Sequence, residues 1–240
     1  MLNRGLSYLL VFFIFSVAAQ GQNKAVVYYK AGMGFMEKKM FTEALNAFTT
    51  AIRVNKKFDS AYVQLGNIYL LQRKDSLAFL NYKKALAINP HFTDALFSQG
   101  KIYRYYKNKP DLALSYFKAA AGTDNTNKEI FYNIAWCFNT KMQYDSAIVY
   151  GIKSLGIDNN FRPAYGELGF AYRMSKRFAD GLAQFKKNLA ISIVDIAILY
   201  SGYCYVELKD KTAALQQYDA LIKINTKMAA TLKKAIDKME

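Results

Sequence analysis

A small residue followed three positions later by an aromatic recurs six times along this chain: Gly32 and Phe35, Gly66 and Tyr69, Gly100 and Tyr103, Ala135 and Phe138, Gly169 and Tyr172, Gly202 and Tyr205. The steps between the small residues are 34, 34, 35, 34 and 33. A fixed period of that length restricts the chain to an array of one copied supersecondary unit. A unit of about 34 residues cannot bury its apolar face alone and must stack on its neighbours.

A second series keeps the same phase: Ala44, Ala78, Ala113, Ala147, Gly181 and Ala214, followed four residues later by Phe48, Tyr82, Phe117, Gly151, Phe185 and Tyr218. Only Gly151 breaks the aromatic rule, with Tyr150 beside it as a partial replacement. Three residues further come Ala51, Ala85, Ala120, Ser154, Asn188 and Leu221, a series that degrades toward the carboxyl end. The spacing i, i+3, i+4, i+7, as in Tyr62, Leu65, Gly66 and Tyr69, lies on one face of an α-helix. Each period therefore reads as two helices crossing at small residues. A helical glycine costs about 0.5–1 kcal/mol relative to alanine, so five at one register indicate close contact. Thr42, Ser76, Asp111, Asp145 and Thr212 are expected to cap the second helices, and Pro110 and Pro163 to sit in first turns. The extra residue of the third period falls in the turn KNKPD.

The pattern W-x2-L-G-x2-Y, then A-x3-F, then P, resembles the tetratricopeptide repeat family, and Ser60 to Pro90 fits it best, with Tyr62, Leu65, Gly66, Tyr69, Ala78, Tyr82, Ala85 and Pro90 in place. The resemblance implies an all-α, right-handed α-solenoid of six helix-turn-helix repeats at 25–58, 59–92, 93–127, 128–161, 162–194 and 195–228. A capping helix follows at 229–240, with Lys233, Lys234 and Lys238 facing water.

Residues 1–21 read as a secretory signal peptide. Arg4 precedes a run of 14 residues from Leu6 to Ala19, apolar apart from Ser7, Tyr8 and Ser16 and shorter than the roughly 20 needed to span a bilayer, and cleavage is expected after Ala19 or Gly21. An uncleaved signal anchor and a buried amino-terminal helix are the alternatives. With 33 Lys+Arg against 18 Asp+Glu the formal charge is +15. Export makes nucleic acid a disfavoured partner despite that excess. The resemblance adds a periplasmic or secreted location in a Gram-negative bacterium.

At 52% apolar residues, with 3 Pro and 13 Gly, the chain is neither disordered nor collagen-like. Two Cys and one His exclude a disulfide framework and a Cys/His zinc site. Cys137 and Cys204 share a register two repeats apart, too far to bridge. His91 follows Pro90 in a loop. No catalytic constellation, cofactor site or metal site emerges, and the expectation is a non-enzymatic scaffold with a protein or peptide partner.

In the family, the first helix of each repeat lines the concave side through positions 2, 5, 6, 9, 12 and 13. The candidate groove residues on that stripe are Tyr29, Asn67, Phe97, Lys101, Arg104, Tyr105, Tyr132, Trp136, Asn139, Phe170, Arg173 and Tyr203, with Met33, Leu70 and Tyr200 beside them. An aromatic lining with a few cations and amides suits an extended peptide or partner helix. Burial brings no gain to Lys101, Arg104, Asn139 and Arg173, which are therefore expected to stay open; Lys101, Arg104 and Arg173 make a loose anion site. A family clamp for terminal carboxylates needs Lys and Asn where this chain has Tyr29 and Met33, so it is not expected. Lys83, Lys84, Lys118, Lys153, Lys186 and Lys187 face outward as a solvated surface or a basic ridge against an anionic one. Self-assembly, with Gly181, Asn188 and Leu221 marking a dimer surface, is a further alternative.

Overall fold

The fold is that of a computed structural model describing residues 23–239; the segment read as a signal peptide lies outside them. The described residues form thirteen helices and no strand, in two compact units that meet between Asn108 and Lys109. The first unit contains α1 (23–37), α2 (Phe41–Val54), α3 (Asp59–Leu71), α4 (Asp75–Ile88) and α5 (Thr93–Tyr105). The second contains α6 (Pro110–Thr123), α7 (Lys128–Thr140), α8 (Tyr144–Ile157), α9 (Arg162–Met174), α10 (Phe178–Ile191), α11 (Asp195–Glu207), α12 (Lys211–Ile222) and α13 (Thr226–Ile236). Among the described residues no helix is long and apolar enough to cross a membrane.

The small-residue register sets the distance between paired helices. A Cβ at Gly66 would lie 2.6 Å from the Tyr82 ring, and Gly32 and Gly169 stand in the same relation to Phe48 and Phe185. These rings are buried at the centres of their hairpins. In the fourth period the relation is reversed: Gly151 removes the ring, Ala135 replaces the opposing glycine, and Tyr150 stacks on Phe131 and Phe138 at 6.3 and 5.5 Å. In the last period α13 takes the ring's role, because a Cβ at Gly202 would meet Leu232 at 2.4 Å. Ala229, Leu232 and Ile236 of α13 are buried there with Leu221 and Met239.

Among the described residues six non-glycine residues hold positive φ, all just after a first helix: Lys39, Arg73, Asn108, Met142, Lys176 and Lys209. Around Arg73 the Arg73 N–H donates to the Leu70 carbonyl at 3.0 Å and the Lys74 N–H to that of Tyr69 at 2.8 Å. This is the double closure of a Schellman helix end, and it recurs around Lys39, Met142, Lys176 and Lys209. The opposite links begin on Asn55, Asn89, Asp124 or Asp158, whose side-chain oxygens accept the N–H two residues on at 2.8 to 3.1 Å. Such Asx turns reverse the chain within a few residues. The link after α10 is different. Ser192 is extended and the next helix starts at Asp195, one residue early relative to the other periods.

The capping expectation needs correction. Thr42, Ser76, Asp111, Asp145 and Thr212 are the second residues of their helices, and no side-chain cap forms at the starts of α2, α4, α6 or α8. The Schellman turn feeds directly into the next helix and leaves the cap position to Met40, Lys74 or Gln143, and Lys109 holds it before α6. Asp210 caps α12 instead, and Asn127 and Asn225 cap α7 and α13. Asp111 and Asp145 still favour their helices by lying at the positive end of the helix dipole.

Candidate partner-binding pocket

In the second unit the first helices α7, α9 and α11 lie side by side. The i, i+4, i+7 face of α7 presents Tyr132, Trp136 and Asn139; α9 presents Gly166, Glu167 and Phe170; α11 presents Tyr200. Together with Asn188 from α10 they enclose a cavity of about 520 Å3. The rings brace one another: Tyr132 meets Phe161 edge-on at 5.6 Å, and Tyr200 packs against Phe170 at 5.6 Å and Phe185 at 5.7 Å. The Asn139 amide donates to the Glu167 carbonyl at 3.0 Å and to its carboxylate at 2.8 Å, and the Asn188 amide donates to the Arg162 carbonyl at 3.1 Å. Behind the aromatic wall the Arg173 guanidinium lies 4.9 Å from the Tyr200 centroid, 5.6 Å from Phe170 and 5.7 Å from Tyr203. Burial raises the Tyr200 hydroxyl pKa, opposed by Arg173. Burial also pushes the Cys204 thiol up to about 11, and both cysteines are buried and form no disulfide among the described residues.

Of the twelve candidate groove residues, Tyr132, Trp136, Asn139 and Phe170 line this cavity, and Arg173 and Tyr203 adjoin it through Tyr200. The other six belong to the first unit. There Tyr29 is half-buried between Phe48 and Phe58, and Asn67 accepts the Tyr82 hydroxyl at 2.7 Å, so both serve packing. Lys101 lies over Phe97 at 4.9 Å and Arg104 over Tyr105 at 4.7 Å. Two of the four polar residues expected to remain open do not: Arg104 is 8% exposed and Asn139 6%. Each gains from burial after all, Arg104 through the aromatic face and Asn139 through Glu167. Gly181, Asn188 and Leu221, considered as a dimer surface, are buried within the second unit and offer no exposed face. A Cβ at Gly181 would meet the Gly169 carbonyl oxygen at 3.1 Å, which explains that glycine as a helix crossing.

The sequence reading omitted Pro163, Gly166, Glu167, Ile196 and Asn188. The first four occupy positions 2, 5 and 6 of the fifth repeat and position 2 of the sixth, so the stripe count reaches them. A proline, a glycine and an acid do not resemble an aromatic lining, so the search for aromatic and cationic residues on that stripe does not select them. Asn188 stood out as a departure from alanine, a signal of a changed interior rather than of weakened packing.

This arrangement defines an all-helical repeat scaffold with a concave pocket. Residues 59–92 and 197–225 each match a tetratricopeptide repeat model, so the chain carries tetratricopeptide repeats. No curated protein matches it significantly. Among solved structures it is similar to PilW, a widely conserved type IV pilus biogenesis factor, at 20% identity over 87% of this chain and 98% of that one, TM-score 0.72. PilF of Pseudomonas aeruginosa is similar at 16% identity over 89% and 99%, TM-score 0.74. YrrB, a TPR protein with an unusual peptide-binding site, is similar at 23% identity over 78% and 98%, TM-score 0.70. At these identities the likeness establishes the fold, an all-α helical-repeat solenoid.

Proposed function

We propose that this protein is a non-enzymatic scaffold that binds a peptide segment of a partner protein in the pocket between α7, α9 and α11. The observation that carries the reading is that three successive first helices bring Tyr132, Trp136, Phe170 and Tyr200 around one cavity of about 520 Å3, aromatic in its walls and polar at its base. Pockets of this size and composition are the usual place for a side chain or small ligand to bury. The peptide-binding site named for YrrB supports the same use of the fold.

Peptide display against the full chain tests this. Selected peptides should lose about 2 kcal/mol of binding, roughly 30-fold in Kd, on Trp136→Ala or Phe170→Ala. Peptides that bind both variants as well as the parent overturn the reading.

A second reading rests on the outer lysines. Within the second unit Lys118, Lys153, Lys186 and Lys187 are exposed, and each ammonium lies 4.2 to 5.7 Å from an aromatic centroid. Such a basic ridge would hold the protein against an anionic surface as an accessory subunit. If a Lys118, Lys153, Lys186 and Lys187 to Glu variant loses the native partner while Trp136→Ala keeps it, the ridge takes the pocket's place. Export to the periplasm or beyond belongs to the same proposal. It is tested by the mass of the protein recovered from its host, which should lack residues through Ala19 or Gly21.

A further inference from the structure

Asn139 and Asn188 are 6% and 4% exposed. Their amide nitrogens face acceptors, the Glu167 carbonyl and carboxylate for one and the Arg162 carbonyl for the other. Exchanging oxygen and nitrogen in either amide would set acceptor against acceptor, so the orientation of both is fixed by chemistry. That leaves both Oδ1 atoms buried and without a hydrogen-bond donor among the described residues. Both asparagines line the same cavity. Buried acceptors left unpaired are destabilising, and two of them in one pocket are arranged for an occupant that donates.

Gly166 shapes the space beside them. A Cβ there would have only the Asn188 amide nitrogen within 4 Å, at 3.4 Å. Packing therefore does not demand this glycine as it demands Gly66 and Gly169, and the missing side chain leaves a notch in the pocket floor. The charges nearby select the kind of donor. Arg162 lines the cavity, and Arg173 stacks behind Tyr200 and Phe170. Against these two cations stands one carboxylate, Glu167, which already accepts from Asn139. An ammonium or guanidinium would be repelled, whereas a neutral donor carried on a ring meets aromatic walls and the unpaired, buried acceptors behind them.

We propose that the notch at Gly166 receives a tryptophan or tyrosine side chain of the partner, its ring against Trp136 and Phe170 and its N–H or O–H directed to the asparagine oxygens. The inference rests on reading the pocket as a partner site and adds the chemistry of the residue it takes.

The full chain is titrated with N-acetyl-tryptophanamide, N-acetyl-tyrosinamide, N-acetyl-phenylalaninamide and N-acetyl-argininamide, followed by NMR of the Trp136 indole and the asparagine amides. The tryptophan and tyrosine probes should bind at least fivefold more tightly than the phenylalanine probe, and the arginine probe most weakly. Gly166→Leu should weaken every probe tenfold or more with the helical circular dichroism unchanged. Asn188→Ala, which places the residue found at the equivalent positions 51, 85 and 120 and should therefore fold, should bring tyrosine and phenylalanine probes within twofold of each other. Equal affinity for those two in the parent protein, or preference for arginine, overturns the donor assignment while leaving a side-chain pocket. Failure of every probe to saturate overturns the inference altogether, and peptide display then decides separately whether the partner-site reading survives.

Discussion

A methyl group added at Gly66 would lie 2.6 Å from the buried Tyr82 ring, whereas at Gly166 it would meet one amide nitrogen at 3.4 Å. Both glycines sit inside 13-residue helices, where alanine is the better helix former by about 0.5–1 kcal/mol. Gly66→Ala should nonetheless destabilise the protein by about 1–3 kcal/mol through over-packing, and Gly166→Ala should stabilise it by about 0.5 kcal/mol. Urea denaturation of the two variants checks this, and equal effects would mean that the crossing is not where the structure places it. The crossing glycines were legible because they repeat at a fixed step. Gly166 was not, because its reason is an empty space formed by α9 and α10 together, which no single-helix pattern records. Cys204, with its thiol raised to about 11 by burial, should remain protonated at neutral pH and react with a thiol reagent only as the second unit opens. Reaction at the rate of a free thiol in the native protein would contradict that.

Each turn between paired helices carries a left-handed non-glycine residue. Lys176 at φ 61° is one of six, and an L-residue in that conformation costs about 1–2 kcal/mol. Lys176→Gly relieves this cost, partly offset by the freer unfolded chain, and should raise stability by about 0.5 kcal/mol in a denaturant titration. The links that lead into the next repeat carry charge. The Lys128 ammonium hydrogen-bonded to Asp158, with the Asn160 N–H, holds the Asp158 carboxyl below its ordinary range. A depressed carboxyl stabilises the fold above its unfolded pKa, about 3.9, and that contribution is lost as pH falls through the folded value. The melting-temperature difference between the parent and Asp158→Asn should therefore be present at pH 7 and close on acidification below about pH 4. Helix existence was readable from the 3.6-residue spacing, but the turns were not. Thr42 or Ser76 resembles a cap in sequence, and only the backbone geometry around Lys39 and Arg73 shows the Schellman closure that places them two residues past the cap, inside the helix.

On the scale of the molecule, an array of hairpins is stable as far as its ends are covered. Leu232 is fully buried against the crossing at Gly202, and Leu232→Ala should cost about 2–5 kcal/mol and increase binding of an apolar dye, as the α11 and α12 face becomes accessible. An unchanged melt would show that α13 is dispensable. Three departures from the repeat rule fall in the fifth period: the open floor at Gly166, Asn188 in place of a small apolar residue, and a link at 192–194 without an Asx turn, where Ile193 is 76% exposed. A segment with few backbone hydrogen bonds and little burial opens at low free energy. The amide hydrogens of Ile193 and Val194 should accordingly exchange with solvent sooner than those at the other links. Val194 also lines the cavity, so an occupied pocket should slow that exchange, making the deuterium content of one short link a gauge of whether the partner is bound.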